Sequence, residues 1–238
     1  MEADRAVRVA VAFARQSTGT SPARLCKACV EVLQVSGAGI TVMSGTNSGP
    51  VCASNERTEV LEELQFVLGE GPCRDAYVTG DPQSVADLGS VLTGRWPNYT
   101  PTALEAGARG VFAFPLGVGK SRIGVLTLYQ DTAVGLTEQQ RADSLVVADV
   151  VAQTMITLQA SGRSGVLPSD LSDTGAHRAE VHQATGMVAV QLGVGVAEAL
   201  DRIRAHAYAA GRMVAAVAED IVGGHLRLAD DRARGGAE

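Results

Sequence analysis

The chain has 238 residues and a formal net charge of −6, with 46% hydrophobic, 19% charged and 4% aromatic residues; this is a globular composition whose core must be built mainly from Ala, Val and Leu. No stretch approaches the ~20 apolar residues that span a bilayer, and arginines interrupt the apolar residues of the N-terminal MEADRAVRVAVAFARQ before a signal-peptide core can form. Neither residues 1–160 (12 Lys/Arg against 16 Asp/Glu) nor residues 161–238 (8 against 10) carry the positive footprint usual in nucleic-acid binding.

A cytoplasmic protein is the expectation, and with it four reduced thiols at Cys26, Cys29, Cys52 and Cys73. Ser21-Pro22 opens a helix, a cap followed by proline at the first helical position. Leu25, Cys29, Val32 and Leu33 share one face of that helix, and Gly37 and Gly39 end it. Residues 38–44 and 50–53 read as strands joined by the turn-rich GTNSG. A helix over 57–68 groups Val60, Leu64 and Val67; Gly69–Pro72 breaks it, and a short helix follows at Cys73–Val78. QSVADL reads as a short strand, followed by a loop and helix around Trp96 and Ala103. The apolar runs 109–116 and 122–130, joined by GVGKS, form the centre of an antiparallel sheet. Thr137 and Gln140 make a capping box for a helix over 138–159, with Leu145, Ala148, Val151, Ala152 and Met155 as its apolar stripe. Helices packed on an antiparallel sheet account for this order.

Residues 161–175, SGRSGVLPSDLSDTG, lack a sustained apolar period and read as a linker between a domain over 1–160 and a second over 176–223. The second domain is purely helical, with segments 176–192, 196–210 and 212–222. Their apolar faces are Val181, Ala184, Val188 and Leu192; Ala199, Leu200, Ile203 and Ala207; and Val214, Val217, Ala218 and Ile221. Residues 224–238 are expected to fray.

No catalytic or metal constellation emerges. His177, His182 and His206 lack ligand spacing. Gly119-Lys120-Ser121 mimics the end of a phosphate loop, but Phe114 stands where its glycine belongs and a strand follows. Cys26-x-x-Cys29 lies within an apolar helix and reads as packing. Cys73 sits at a helix start, where the dipole can lower a thiol pKa, although packing is again the plainer reading.

Residues 177–222, with Gln183-Ala184-x-Gly186, the pair Ala199-Leu200 and the run from Ala207 through Gly211-Arg212 to Val217-Ala218, resemble the ANTAR domain, an RNA-binding three-helix module of bacterial antitermination regulators. Thr185 stands where that family often has lysine. Residues 25–158, through GEGPCRDA (69–76) and the two-strand block 109–130, resemble the GAF half of actinobacterial GAF-ANTAR proteins. The resemblance implies an α+β fold, a PAS-like antiparallel sheet flanked by helices and then a three-helix domain. It also implies a homodimer that binds terminator-overlapping RNA hairpins under control of a small-molecule, redox or protein signal, without a cofactor or membrane attachment. Candidate RNA contacts are Arg178, Gln183, Thr185, Gly186, Arg202, Arg204 and Arg212; candidate ligand contacts are Cys73, Trp96, Phe112 and Phe114. Glutamine can read a base edge, glycine admits close approach, and arginines serve phosphates. The alternatives are a thiol enzyme like free methionine sulfoxide reductases, using Cys52 or Cys73, and a trihelical DNA-binding regulator.

Overall fold

The structure, a computed structural model, describes residues 2–16, 22–44, 47–90, 95–119, 121–162 and 169–228. Lys120, linker residues 163–168 and tail residues 229–238 lie outside them. The chain divides into two compact units, Met1–Ser172 and Asp173–Glu238. Among the described residues no helix is long and apolar enough to cross a membrane.

In the first unit the described strands β1 (Gly37–Ser44), β2 (Asn47–Ala53), β3 (Gln83–Val85), β4 (Gly110–Val118) and β5 (Ser121–Gln130) form one antiparallel sheet in the order β2-β1-β5-β4-β3. The strand period of two divides its side chains cleanly. Ile40, Val42, Phe112, Phe114, Leu116, Leu126 and Leu128 face a core shared with α1 (Glu2–Gln16), α2 (Pro22–Leu33) and α6 (Glu138–Gly162). Val111, Ala113, Val125 and Tyr129 face the other side, under α3 (Glu56–Leu68), α4 (Pro72–Thr79) and α5 (Tyr99–Glu105). Each large apolar side chain buried this way contributes about 1.5–3 kcal/mol.

Several elements form as their sequence dictates. The capping box closes in both directions: the Gln140 amide donates to Thr137 Oγ1 at 3.1 Å and the Thr137 amide to Gln140 Oε1 at 3.0 Å. Asn55 Oδ1 caps α3 by accepting from the Thr58 amide at 2.9 Å, and Gly69 ends the helix at φ 63°.

Residues 2–16, given no element in the sequence analysis, form an amphipathic helix, α1, that buries Phe13 against α2 and α6. Three readings are corrected. Gly37 and Gly39 do not end α2, which stops at Leu33; they belong to β1, where a Cβ on Gly39 would collide with Glu62 and one on Gly37 with Thr58. The inward face of α3 is Thr58, Leu61, Glu62, Gln65 and Phe66 with Val67, whereas Val60 is exposed. The third concerns the thiols. Cys26 and Cys52 are joined in a disulfide, while Cys29 and Cys73 are free and buried. The turn from α2 through β1 into β2 brings together two residues 26 positions apart, a pairing invisible to local spacing.

Helix α7 (Ser169–Leu192) starts seven residues before the segment expected at 176 and runs from before Asp173 into the second unit, where α8 (Val196–Ala210) and α9 (Val214–Val222) follow. Ala184, Val188, Ala199, Ile203, Ala207, Val214, Val217, Ala218 and Ile221 are all buried. The chain after α9 does not fray at once. The His225 and Leu226 amides donate to the Asp220 carbonyl, Gln191 Nε2 donates to the Leu228 carbonyl at 2.7 Å, and Leu228 is buried. Because Ala207 has no free surface, Ala207→Leu is expected to cost about 1–3 kcal/mol by overpacking. Urea unfolding of the full chain measures it; an unchanged midpoint would show slack in the seam.

Candidate functional site

The sheet face under α3 is unusual in its chemistry. Where β1 and β5 run beside each other, that face carries Gly37, Gly39, Thr41, Thr127 and Tyr129 rather than aliphatic residues. The two glycines let α3 approach closely enough for Glu62 and Gln65 to reach the sheet. A continuous hydrogen-bond chain results. The Cys73 amide donates to Gln65 Oε1 at 2.8 Å, Gln65 Nε2 donates to the Tyr129 hydroxyl at 2.8 Å, and Tyr129 donates to Glu62 Oε1 at 2.6 Å. Thr41 donates to Glu62 Oε2 at 2.5 Å. The Tyr99 hydroxyl, also fully buried, lies beside Tyr129 without reaching a hydrogen bond of good geometry.

The segment Gly69–Cys73 builds the end of this chain. Glu70 Oε1 accepts the Asn98 and Tyr99 amides at 2.7 and 2.6 Å, satisfying the first turn of α5. Gly71, at φ 128°, leaves room for the Gln65 carboxamide, and Pro72 starts α4.

Burial sets the electrostatics. It pushes the Glu62 carboxyl above its ordinary range, against the opposing hydrogen bonds from Thr41, Tyr129 and Thr127. Tyr129, Tyr99 and Cys73 are pushed well up by burial first and by the Glu62 charge second. Cys73 is therefore a neutral thiol, and the expected helix-dipole activation is overridden by desolvation.

The four expected ligand contacts do not converge. Cys73 packs with Ala76, Ala113 and Val125, and Trp96 with Leu61, Val111 and Tyr129, both on the α3 side of the sheet. Trp96 Nε1 donates to Asp75 Oδ2 at 3.1 Å, and Arg95 lies 4.4 Å from the Trp96 ring. Phe112 and Phe114 lie on the opposite face, in the core with α2 and α6, where they cannot share a site with Cys73. Glu62, Gln65, Tyr99 and Tyr129 were not singled out from the sequence; Glu62 and Gln65 lie three apart on a helix that also carries Glu56, Arg57, Glu59 and Glu63, so nothing local marked them as the inward polar pair.

In the second unit α7 presents Gln183 and Gly186 to solvent, with Val190 86% exposed on the same stripe. A Cβ on Gly186 would meet no atom within 4 Å, so this glycine serves no packing need within the unit. Beside it runs a groove lined by Gly186, Met187, Val190, Gln191, Ile221 and Leu226. Thr185 faces inward instead: it is 3% exposed and donates to the Val181 carbonyl at 2.6 Å, so it is not a surface contact. The arginines are engaged. Arg202 pairs with Glu198 at 2.9 Å, Arg204 with Asp201 at 3.1 Å and Arg212 with Asp220 at 2.8 Å. The side chains of Arg178 and His177 lie outside the described residues.

Comparisons with known proteins agree with this division. The family model of the GAF domain matches residues 23–155, and that of the ANTAR domain matches residues 169–222. The GAF domain of a phosphoenolpyruvate-protein phosphotransferase from Coxiella burnetii superposes with a TM-score of 0.52 at 15% identity, over 66% of this chain and 96% of that one. The corresponding Acinetobacter domain gives 0.50 at 10% identity, over 67% and 95%. At these identities the likeness concerns the fold. No curated protein matches the sequence.

Proposed function

Since the chain belongs to the GAF domain family and carries an ANTAR domain behind it, we propose that it is a signal-controlled RNA-binding regulator of transcription antitermination. In this reading residues 1–160 sense a small-molecule, redox or protein signal, and residues 176–223 hold tandem hairpins that overlap a terminator. The protein works as a cytoplasmic homodimer and catalyses no reaction. The observation that carries the reading is the open stripe of α7, where Gln183 is free to read an unstacked base edge and Gly186 leaves bare backbone for close approach. The signal acts by binding or modifying one arrangement of the first unit more favourably than another.

Two observations weigh against a thiol enzyme. Cys73 is buried as a neutral thiol, and Cys52 is already bonded to Cys26. A duplex-DNA reader is disfavoured by the carboxylates paired to Arg202, Arg204 and Arg212, which leave no basic helix face among them.

Gel shifts with tandem hairpins test the reading. Gln183→Ala is expected to weaken binding about tenfold, the usual order for losing one base-edge contact. Gly186→Leu separates function from fold. Its Cβ would meet nothing within 4 Å on an exposed helix face, and it removes a helix-interior glycine, so stability should hold or rise by about 0.5–1 kcal/mol while hairpin binding falls. Absence of hairpin binding by the wild-type dimer, with and without cell extract, removes the proposal.

A further inference from the structure

We infer that Cys26 and Cys52 form a thiol–disulfide exchange site, served by dithiol reductants of the thioredoxin class, whose state sets how firmly α6 is held against the rest of the first unit. Cytoplasmic disulfides are commonly transient and redox-sensing, and this one occupies a mechanically consequential place. Cys26 lies on α2 and Cys52 on β2, an edge strand that pairs with β1 alone. The bond therefore ties the helix layer to the edge of the sheet. Cys26 is fully buried in the same core cluster as Val147, Ala148, Val151, Ala152 and Met155 of α6, and α2 packs directly on both α1 and α6.

The two residues differ in burial, which favours attack at Cys52. Cys26 and Cys29 are 0% exposed, whereas Cys52, on the edge strand β2, is only partly buried where it packs against the core. An incoming thiolate reaches Cys52 Sγ from outside, forms a mixed disulfide there and expels the Cys26 sulfur inward, where it takes a proton. The second thiol of the reductant then attacks its own mixed-disulfide sulfur and releases Cys52. Two electrons pass from the dithiol to the protein disulfide; the products are two protein thiols and one oxidised dithiol, and the oxidised dithiol or another disulfide drives the reverse. Cys29 stands one helical turn from Cys26, close enough in sequence to compete. Burial pushes its thiol up to about 12, so it supplies almost no thiolate and the bond does not migrate inside the core.

Reduction leaves β2 held at that edge by its ladder to β1 and by apolar contacts, and it frees α2 to shift under α6. The full chain is equilibrated in dithiothreitol buffers of graded poise, quenched, denatured and alkylated. Two thiols, Cys29 and Cys73, are expected at the oxidised end and four at the reduced end, with a Cys26–Cys52 peptide mapped by mass spectrometry. Hydrogen exchange on the same samples should show at least tenfold faster exchange along α6 after reduction. Cys52→Ser should give the fast rates in every buffer. If that variant folds poorly, reduced wild type supplies the comparison. Four thiols in fully oxidised buffer, a bond to Cys29 or Cys73, or α6 exchange that ignores the thiol state would each overturn the inference. Hairpin binding plays no part in these readouts, so loss of the RNA reading would leave this one standing.

Discussion

Gly124→Val should leave the first unit without a stable sheet, a loss of about 4 kcal/mol or more, in the range reserved for substitutions that break a specific structural requirement. Gly124 lies on β5, opposite Val42 of β1 and Leu116 of β4. A Cβ there would collide with the Thr41 carbonyl oxygen and stand 3.1 Å from the Val42 Cα. Both obstacles are backbone, so no rotamer change relieves them. Room can be made by parting β1 from β5, which forfeits ladder hydrogen bonds and opens the core beneath Ile40 and Leu126. The contrast is Gly186→Ala, which meets nothing within 4 Å and should be harmless. Far-UV circular dichroism melts of both variants decide the point. A Gly124→Val chain melting within a few degrees of wild type would show that the two central strands tolerate a gap.

Legibility in the sequence followed the physical character of each element. The runs at β4 and β5, the alanine seams of α8 and α9 and the stripe of α6 from Ala148 to Met155 bury aliphatic faces, and apolar periodicity reports aliphatic burial directly; Leu145, read into that stripe, is 42% exposed, and Val147 is buried in its place. The α3 helix defeats that signal because its inward face carries Thr58, Glu62 and Gln65, matched to hydroxyl-bearing residues and glycines of the sheet. Periodicity then points to Val60, which is half exposed. Thr185 misleads by position: the resemblance made it a candidate RNA contact, yet it satisfies its hydroxyl on the helix backbone and turns inward. The amphipathic α1 was legible in principle, since Val9 and Phe13 lie four apart, but its arginines were weighed against a leader peptide rather than as the outer face of a helix. Long-range pairings are a different matter. Neither the Cys26–Cys52 bond nor the hydrogen bond from Gln65 to Tyr129, 64 positions away, has a local signature.

The buried carboxyl of Glu62 carries the other large effect, and it comes with a sign. Glu62→Ala strips Thr41 and Tyr129 of their acceptor and opens a void under α3, an expected cost of about 3–5 kcal/mol. That corresponds to a fall in Tm of about 10 °C for a domain of this size. Glu62→Gln keeps the shape and both hydrogen bonds, because the carboxamide can accept from Tyr129 and donate to Thr41. The Gln variant isolates the ionisation. Burial raises the folded-state pKa of Glu62 above the ordinary 4.5, so from there up to the raised value the folded chain holds a proton that the unfolded chain has released. By linkage the contribution is fully present below 4.5 and is lost as pH rises through the folded-state value. Wild type should therefore lose stability relative to Glu62→Gln as pH rises from 4.5, while the two converge on acidification. The trend is opposite to that of a salt-bridged carboxylate, whose contribution disappears in acid. Parallel denaturant titrations of the two proteins across that range measure the difference. If the curves stay parallel at every pH, Glu62 enters the fold as an ordinary ionised group, and the polar chain from Thr41 to Cys73 is held by charge rather than by neutral hydrogen bonds.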